Sequence, residues 1–140
     1  MTRRSGVAAA FFLLALAGCG SSSASEDSVK QDFAHGISQL RAIHDYEKLR
    51  AKLTVTLRKL RQDPAPSTAA RLAKGLAIQG FSSTLRGVDS EIDLIENDRG
   101  EIGMATRDAK RAARSLRRGA RLLRAAGRIL GVRVGSFSGL

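Results

Sequence analysis

Among its 140 residues the chain has one cysteine, two prolines, two histidines, one tyrosine and no tryptophan. Each shortage removes a class of function. One cysteine closes no intramolecular disulfide. His35 and His44 stand nine residues apart and do not form the adjacent-turn pair that ligates a metal from one helix. His44-Asp45-Tyr46-Glu47 does put a histidine and a glutamate one turn apart, but di-iron bundles need a glutamate-first version, repeated, with two further carboxylates. The acidic run from Asp89 to Asp98 lacks the glycine-bearing spacing of a calcium loop. Neither a glycine loop for phosphates nor a nucleophilic serine motif is present. The expectation is a protein with no catalytic residue, no metal and no cofactor, hence not an enzyme. Beyond residue 18 the aromatics are Phe33, Phe81, Phe137 and Tyr46, too few for a platform on which bases stack. Nucleic acid is not an expected partner.

Both prolines fall in Asp63-Pro64-Ala65-Pro66, which marks a turn between long helices rather than a strand-rich fold. Before it, Ser28 and Gln31 fit a capping box, with Asp27 and Asp32 placing negative charge near the positive helix end. Apolar residues then recur at Val29, Phe33, Ile37, Leu40, Ile43, Tyr46, Leu49, Leu53, Leu57 and Leu60. Steps of three and four describe one helix face, so a single helix is expected over 28–62, roughly 50 Å long. After the turn, Ser67 or Thr68 caps a second helix over 68–98. Its seam reads Leu72, Leu76, Ile78, Phe81, Leu85, Val88, Ile92 and Ile95, a heptad-like register. Asn97-Asp98-Arg99-Gly100 offers a glycine to end it, and a third helix is expected over 102–131. The fold class that follows is all-α, an up-down-up three-helix bundle of long helices. The alternative is a helical hairpin with one very long second helix, because the three-four frame continues through Arg99, Ile102 and Thr106. Two polar seam positions and the cost of Gly100 and Gly103 inside a helix weigh against it. Residues 132–140 form a C-terminal tail, in which Val134 and Phe137 are the candidates for packing back on the bundle.

Charge is abundant and unevenly placed. The chain carries a net charge of +11, and residues 101–140 hold ten arginines and lysines against two acids. At 100° per residue, the basic residues from Arg107 to Arg128 share one arc, opposite Ala109, Ala112, Ala113, Leu116, Leu123, Ala126 and Leu130. In an antiparallel hairpin Asp89, Glu91, Asp93, Glu96 and Asp98 would lie beside Arg107, Lys110 and Arg111. Arg114, Arg117, Arg118, Arg121, Arg124 and Arg128 would then remain as an anion-binding stripe. Arginine's planar fork suits phosphate or carboxylate.

The N-terminus carries an address. Arg3 and Arg4 precede an uncharged apolar run from Val7 to Leu16, which ends in Leu16-Ala17-Gly18-Cys19. The run is short of the ~20 residues a spanning helix needs. This resembles a bacterial lipoprotein signal, in which residues 1–18 are the leader, Leu16, Ala17 and Gly18 form the recognition motif and Cys19 is the lipidated residue. Thr2-Arg3-Arg4 also resembles a twin-arginine export signal, but its usual continuation is absent and general secretion is the expected route. The resemblance implies cleavage before Cys19, a diacylglyceryl thioether and often a further acyl chain, two or three chains being enough for stable anchoring. It also implies that the only thiol is consumed. Residues 19–27 then read as a serine-rich flexible tether, leading into one domain over 28–131.

These readings combine into an expected function: a non-catalytic, lipid-anchored, extracytoplasmic lipoprotein of the cell membrane or outer membrane, serving as a binding or scaffolding module. Its expected partners are the membrane, through Cys19, and an anionic envelope polymer, phospholipid headgroups or an acidic protein. Two alternatives stand beside it: a self-associating coiled-coil envelope component, and a carrier with a small-ligand pocket between helices.

Overall fold

In the computed structural model, which describes the backbone of residues 21–96 and 102–136 and the side chains of residues 27–96 and 106–136, the chain is all-α. Four helices follow in order: α1 (Ser21–Ala42), α2 (Tyr46–Gln62), α3 (Thr68–Glu96) and α4 (Ile102–Leu130). The leader, Cys19 and its recognition motif, the Asn97-Asp98-Arg99-Gly100 joint and Phe137 lie outside the described residues.

The single helix expected over 28–62 is two helices. Residues 43–45 are not helical, and Asp45 takes an extended conformation (φ −86°, ψ 114°) from which its carboxylate accepts the Lys48 backbone N–H at 3.0 Å. That is an N-cap, with Glu47 adding negative charge to the first turn of α2. The cause lies in the stripe itself. From Ile37 through Leu40, Ile43 and Tyr46 to Leu49 it advances in four steps of three, each 60° short of a full turn, so on one continuous helix it would wind by about 240°. Breaking at 43–45 lets both halves face one core. The halves run antiparallel, with Thr56 donating to Gln39 at 3.2 Å and Lys59 lying 3.8 Å from Asp32.

A second correction concerns where α1 begins. It starts at Ser21, so residues 21–27 are helix rather than tether, and Ser28 lies within the helix instead of capping it. That stretch contains neither glycine nor proline to interrupt a helix.

At the proline turn the expected cap forms: Ser67 Oγ accepts the Ala70 N–H at 3.0 Å. The alternative of one very long second helix does not hold, since α3 and α4 pack antiparallel along their length. Positions 80 and 123, 84 and 119, and 87 and 116 meet across the seam.

The core joins large side chains from α1, α2 and α3. Val29, Phe33, Ile37 and Leu40 meet Leu49, Leu53, Leu57 and Leu60 and, from α3, Phe81, Val88 and Ile92. Phe33 and Phe81 touch edge to face, with ring centroids 5.8 Å apart, an arrangement worth about 0.5 to 1.5 kcal/mol beyond burial. The seam expected along α3 is shorter than its heptad pattern: Leu72 and Ile95 at its ends are 57% and 65% exposed. A second face of α3 carries Ala70, Ala73, Ala77, Gly80, Thr84 and Gly87, all buried. It packs on Ala112, Gly119, Leu123 and Ala126 of α4. The backbones come so close that a Cβ at Gly119 would sit 3.0 Å from Gly80 O and from Thr84 N.

Gly131, with φ +66°, ends α4 in the left-handed conformation, and the Val132 N–H returns to Gly127 O at 2.9 Å. This closes a Schellman turn. Beyond it the chain runs back beside α1. Val132 and Val134 pack on the core, and Arg41 donates to Arg133 O at 3.3 Å.

Candidate anion-binding face

The basic residues of α4 fall into three heptad columns: Arg107, Arg114, Arg121 and Arg128; Lys110, Arg117 and Arg124; Arg111 and Arg118. On a helix these columns stand at 0°, −60° and +40°. The buried column of Ala112, Gly119 and Ala126 starts at 140°, and that of Leu116, Leu123 and Leu130, buried at Leu123 and half-buried at the other two, starts at 180°. The arginine face therefore points away from α3, the helix on which α4 chiefly packs. All nine basic side chains are exposed, including the six expected to bind anions, Arg114, Arg117, Arg118, Arg121, Arg124 and Arg128.

The pairing expected between the acidic end of α3 and the start of α4 is not made among the described residues. Asp89 turns instead to Arg50 of α2, at 3.9 Å, because α2 and α3 are antiparallel neighbours and bring those side chains level. Arg111 lies 3.6 Å from Asp108 on its own helix. Arg114 donates from Nε to Lys110 O at 3.3 Å. No salt bridge within the described residues engages Arg114, Arg117, Arg118, Arg121, Arg124 or Arg128.

Four of the six, Arg114, Arg117, Arg121 and Arg124, line an open groove of about 880 Å³ on one flank of α4. Half-buried Ala113, Leu116 and Ala120 contribute apolar lining, α3 contributes Thr84 and Glu91, and the returning tail contributes Ser136. Arg118 and Arg128 do not line it. Glu91 was expected beside the start of α4 and lies instead along this groove, while Thr84 and Ser136 were not legible as neighbours of this face. Their place depends on the α3–α4 register and on the reversal at Gly131, neither of which shows in the local pattern.

Among the described residues the remaining titratable groups do not assemble into a reactive centre. His35 Nε2 accepts a 2.7 Å hydrogen bond from the Gln39 amide on its own helix, and exposed His44 lies in the α1–α2 link. Asp63 meets Asp32 near the proline turn. Burial, then the charge of Asp32, raises the Asp63 pKa, while Lys74 and a hydrogen bond from Ser28 act in the other direction. The Lys74 ammonium also donates to the backbone carbonyls of Arg61 and Asp63, so this cluster fastens the turn to α3. Among the described residues no group of three or more histidine, cysteine, aspartate or glutamate side chains is placed to hold a metal ion. None of the described helices is long and apolar enough to cross a membrane.

The chain matches no family model, and no curated protein or solved structure is similar to it.

Proposed function

We propose that the protein is a lipid-anchored extracytoplasmic lipoprotein, without catalytic activity, that binds anionic components of the cell envelope through the arginine face of α4. The observation that carries this reading is the face itself: nine exposed basic side chains on one helix, of which only Arg111 makes a salt bridge among the described residues. An ordinary solvated helix face mixes both signs, which lowers the repulsion between like charges three and four residues apart. Here Asp108 is the single acid between Arg107 and Arg128. Concentrating charge in this way is favourable when an anion neutralises it, and guanidinium groups pair with phosphate or carboxylate through two parallel hydrogen bonds. Leu16-Ala17-Gly18-Cys19 supplies the address.

Two measurements test the halves of the proposal separately. Residues 20–140, free of lipid, are expected to be retained on a phosphorylated polymer matrix and eluted by salt. Changing Arg114, Arg117, Arg118, Arg121 and Arg124 to glutamine is expected to remove most of that retention; equal retention of both proteins would sink the binding role. For the anchor, a Cys19→Ala precursor is expected to stay uncleaved and unlipidated, and a variant that matured and fractionated with membranes like the parent would refute the lipoprotein reading.

A further inference from the structure

We infer that the anion met by α4 is the phospholipid surface of the leaflet that holds the Cys19 lipid, so that the bundle lies against the membrane on its arginine face. The inference rests on the lipoprotein reading and narrows its partner to one. The first support is chain length. With residues 19–27 as a tether, the bundle would reach about 30 Å from the bilayer; with α1 beginning at Ser21, two steps of chain remain, at most about 7 Å. The anchor thus holds the first turn of α1 at the headgroups. The second support is where α4 lies relative to that anchor. Position 127 of α4 meets the Phe33 ring of α1, a Cβ there standing 3.6 Å from it, so Arg124 and Arg128 belong to the anchored half of the bundle.

The third support is the shape of the charge. From Arg107 to Arg128 the face runs about 31 Å and, with a drift of about 20° per heptad, spans roughly 140° of the helix, a strip broad enough to face a plane. Arg118 and Arg128 stand outside the groove, so a strand lying in the groove would leave them unused. α4 packs chiefly on α3, and its apolar columns are taken up in that seam. Among the described residues Ile129 is its one exposed large apolar side chain, too little apolar surface to insert in lipid. Docking is then electrostatic, at about 1 kcal/mol per basic residue near an anionic surface, and is weakened by salt. Added to the acyl chains, it fixes orientation rather than attachment.

The test uses the lipidated mature chain in vesicles containing phosphatidylglycerol or phosphatidylcholine alone, with nitroxide on the headgroups. Lipidation leaves no native thiol, so a fluorophore is carried by Ala125→Cys, within the arginine face, or by Ala51→Cys, exposed on α2. The first label is expected to be quenched on phosphatidylglycerol at low salt, to recover at high salt, and to stay bright on phosphatidylcholine. The second is expected to stay bright throughout. Glutamine at the five arginine positions is expected to abolish the quenching, and lysine at the same five to keep most of it, which separates charge from folding. Equal quenching of both labels, or quenching indifferent to lipid charge, overturns the inference. So does an unquenched Ala125→Cys label on a lipidated chain that binds soluble polyphosphate, which would assign the face to a polymer. A mature mass lacking lipid removes the lipoprotein reading and this inference together.

Discussion

At the scale of single residues, Asp63 makes the sharpest demand on solvent conditions. Its Oδ2 is buried and has no hydrogen-bond partner among the described residues, and burial together with the charge of Asp32 raises its pKa. A carboxyl whose pKa rises on folding binds more protons in the folded chain than in the unfolded one. Its contribution is therefore most favourable at acid pH, and stability is lost as pH rises from the ordinary carboxyl value near 3.8 through the raised value. Asp63→Asn removes the charge but keeps the shape. The expected outcome is a higher thermal midpoint at pH 7 and a flatter dependence of that midpoint between pH 4 and 7, read by circular dichroism melts across that range. A midpoint unchanged at pH 7 would mean that Lys74 already compensates the carboxylate. Asp45 behaves oppositely: the Lys48 backbone N–H lowers its pKa, so the α2 cap is weakened as pH falls through that lowered value.

At the scale of helices, the α3–α4 seam turns two chemically equal substitutions into opposite outcomes. Gly75 has nothing within 4 Å of where a Cβ would lie, whereas Gly119 would press its Cβ on Thr84 and on the backbone of α3. Gly75→Ala is expected to stabilise by about 0.5 to 1 kcal/mol through helix propensity. Gly119→Ala is expected to destabilise by about 1 to 3 kcal/mol through overpacking. Urea unfolding with unchanged slopes is the check. The same scale explains what could be read from sequence alone. The proline turn, the Ser67 cap and the opposition of arginine to small residues on α4 were legible because each depends on residues within a few turns. The break before Asp45 was written in the four steps of three but hidden by the apolar character of every position. The helical state of residues 21–27 was masked by a serine-rich composition common to tethers. On α3, large apolar side chains mark the face toward α1 and α2, whereas the alanine and glycine face toward α4 carries no such mark. Of the six candidate arginines, all are exposed as expected, but their division between groove and outer ridge is a tertiary fact.

At the scale of the molecule, the heptad seams that suggested self-association are spent internally. Phe81, Val88 and Ile92 are buried in the core, Leu123 and Ala126 in the α3–α4 seam, and exposed Leu72 and Ile95 lie at opposite ends of α3 rather than forming a strip. Like charges on α4 add repulsion between copies. The lipid-free chain is accordingly expected to be monomeric by light scattering at physiological salt, and a concentration-dependent dimer would revive the coiled-coil alternative. The small-residue seam has a thermal consequence as well. Separating α4 from α3 uncovers alanine and glycine surface beside Leu116 and Leu123, with fewer large apolar side chains than the core of α1, α2 and α3 holds, so less heat capacity is gained there. Cooling, which loosens interfaces that depend on large apolar side chains, will loosen the grip of α3 on α4 less than it loosens that core.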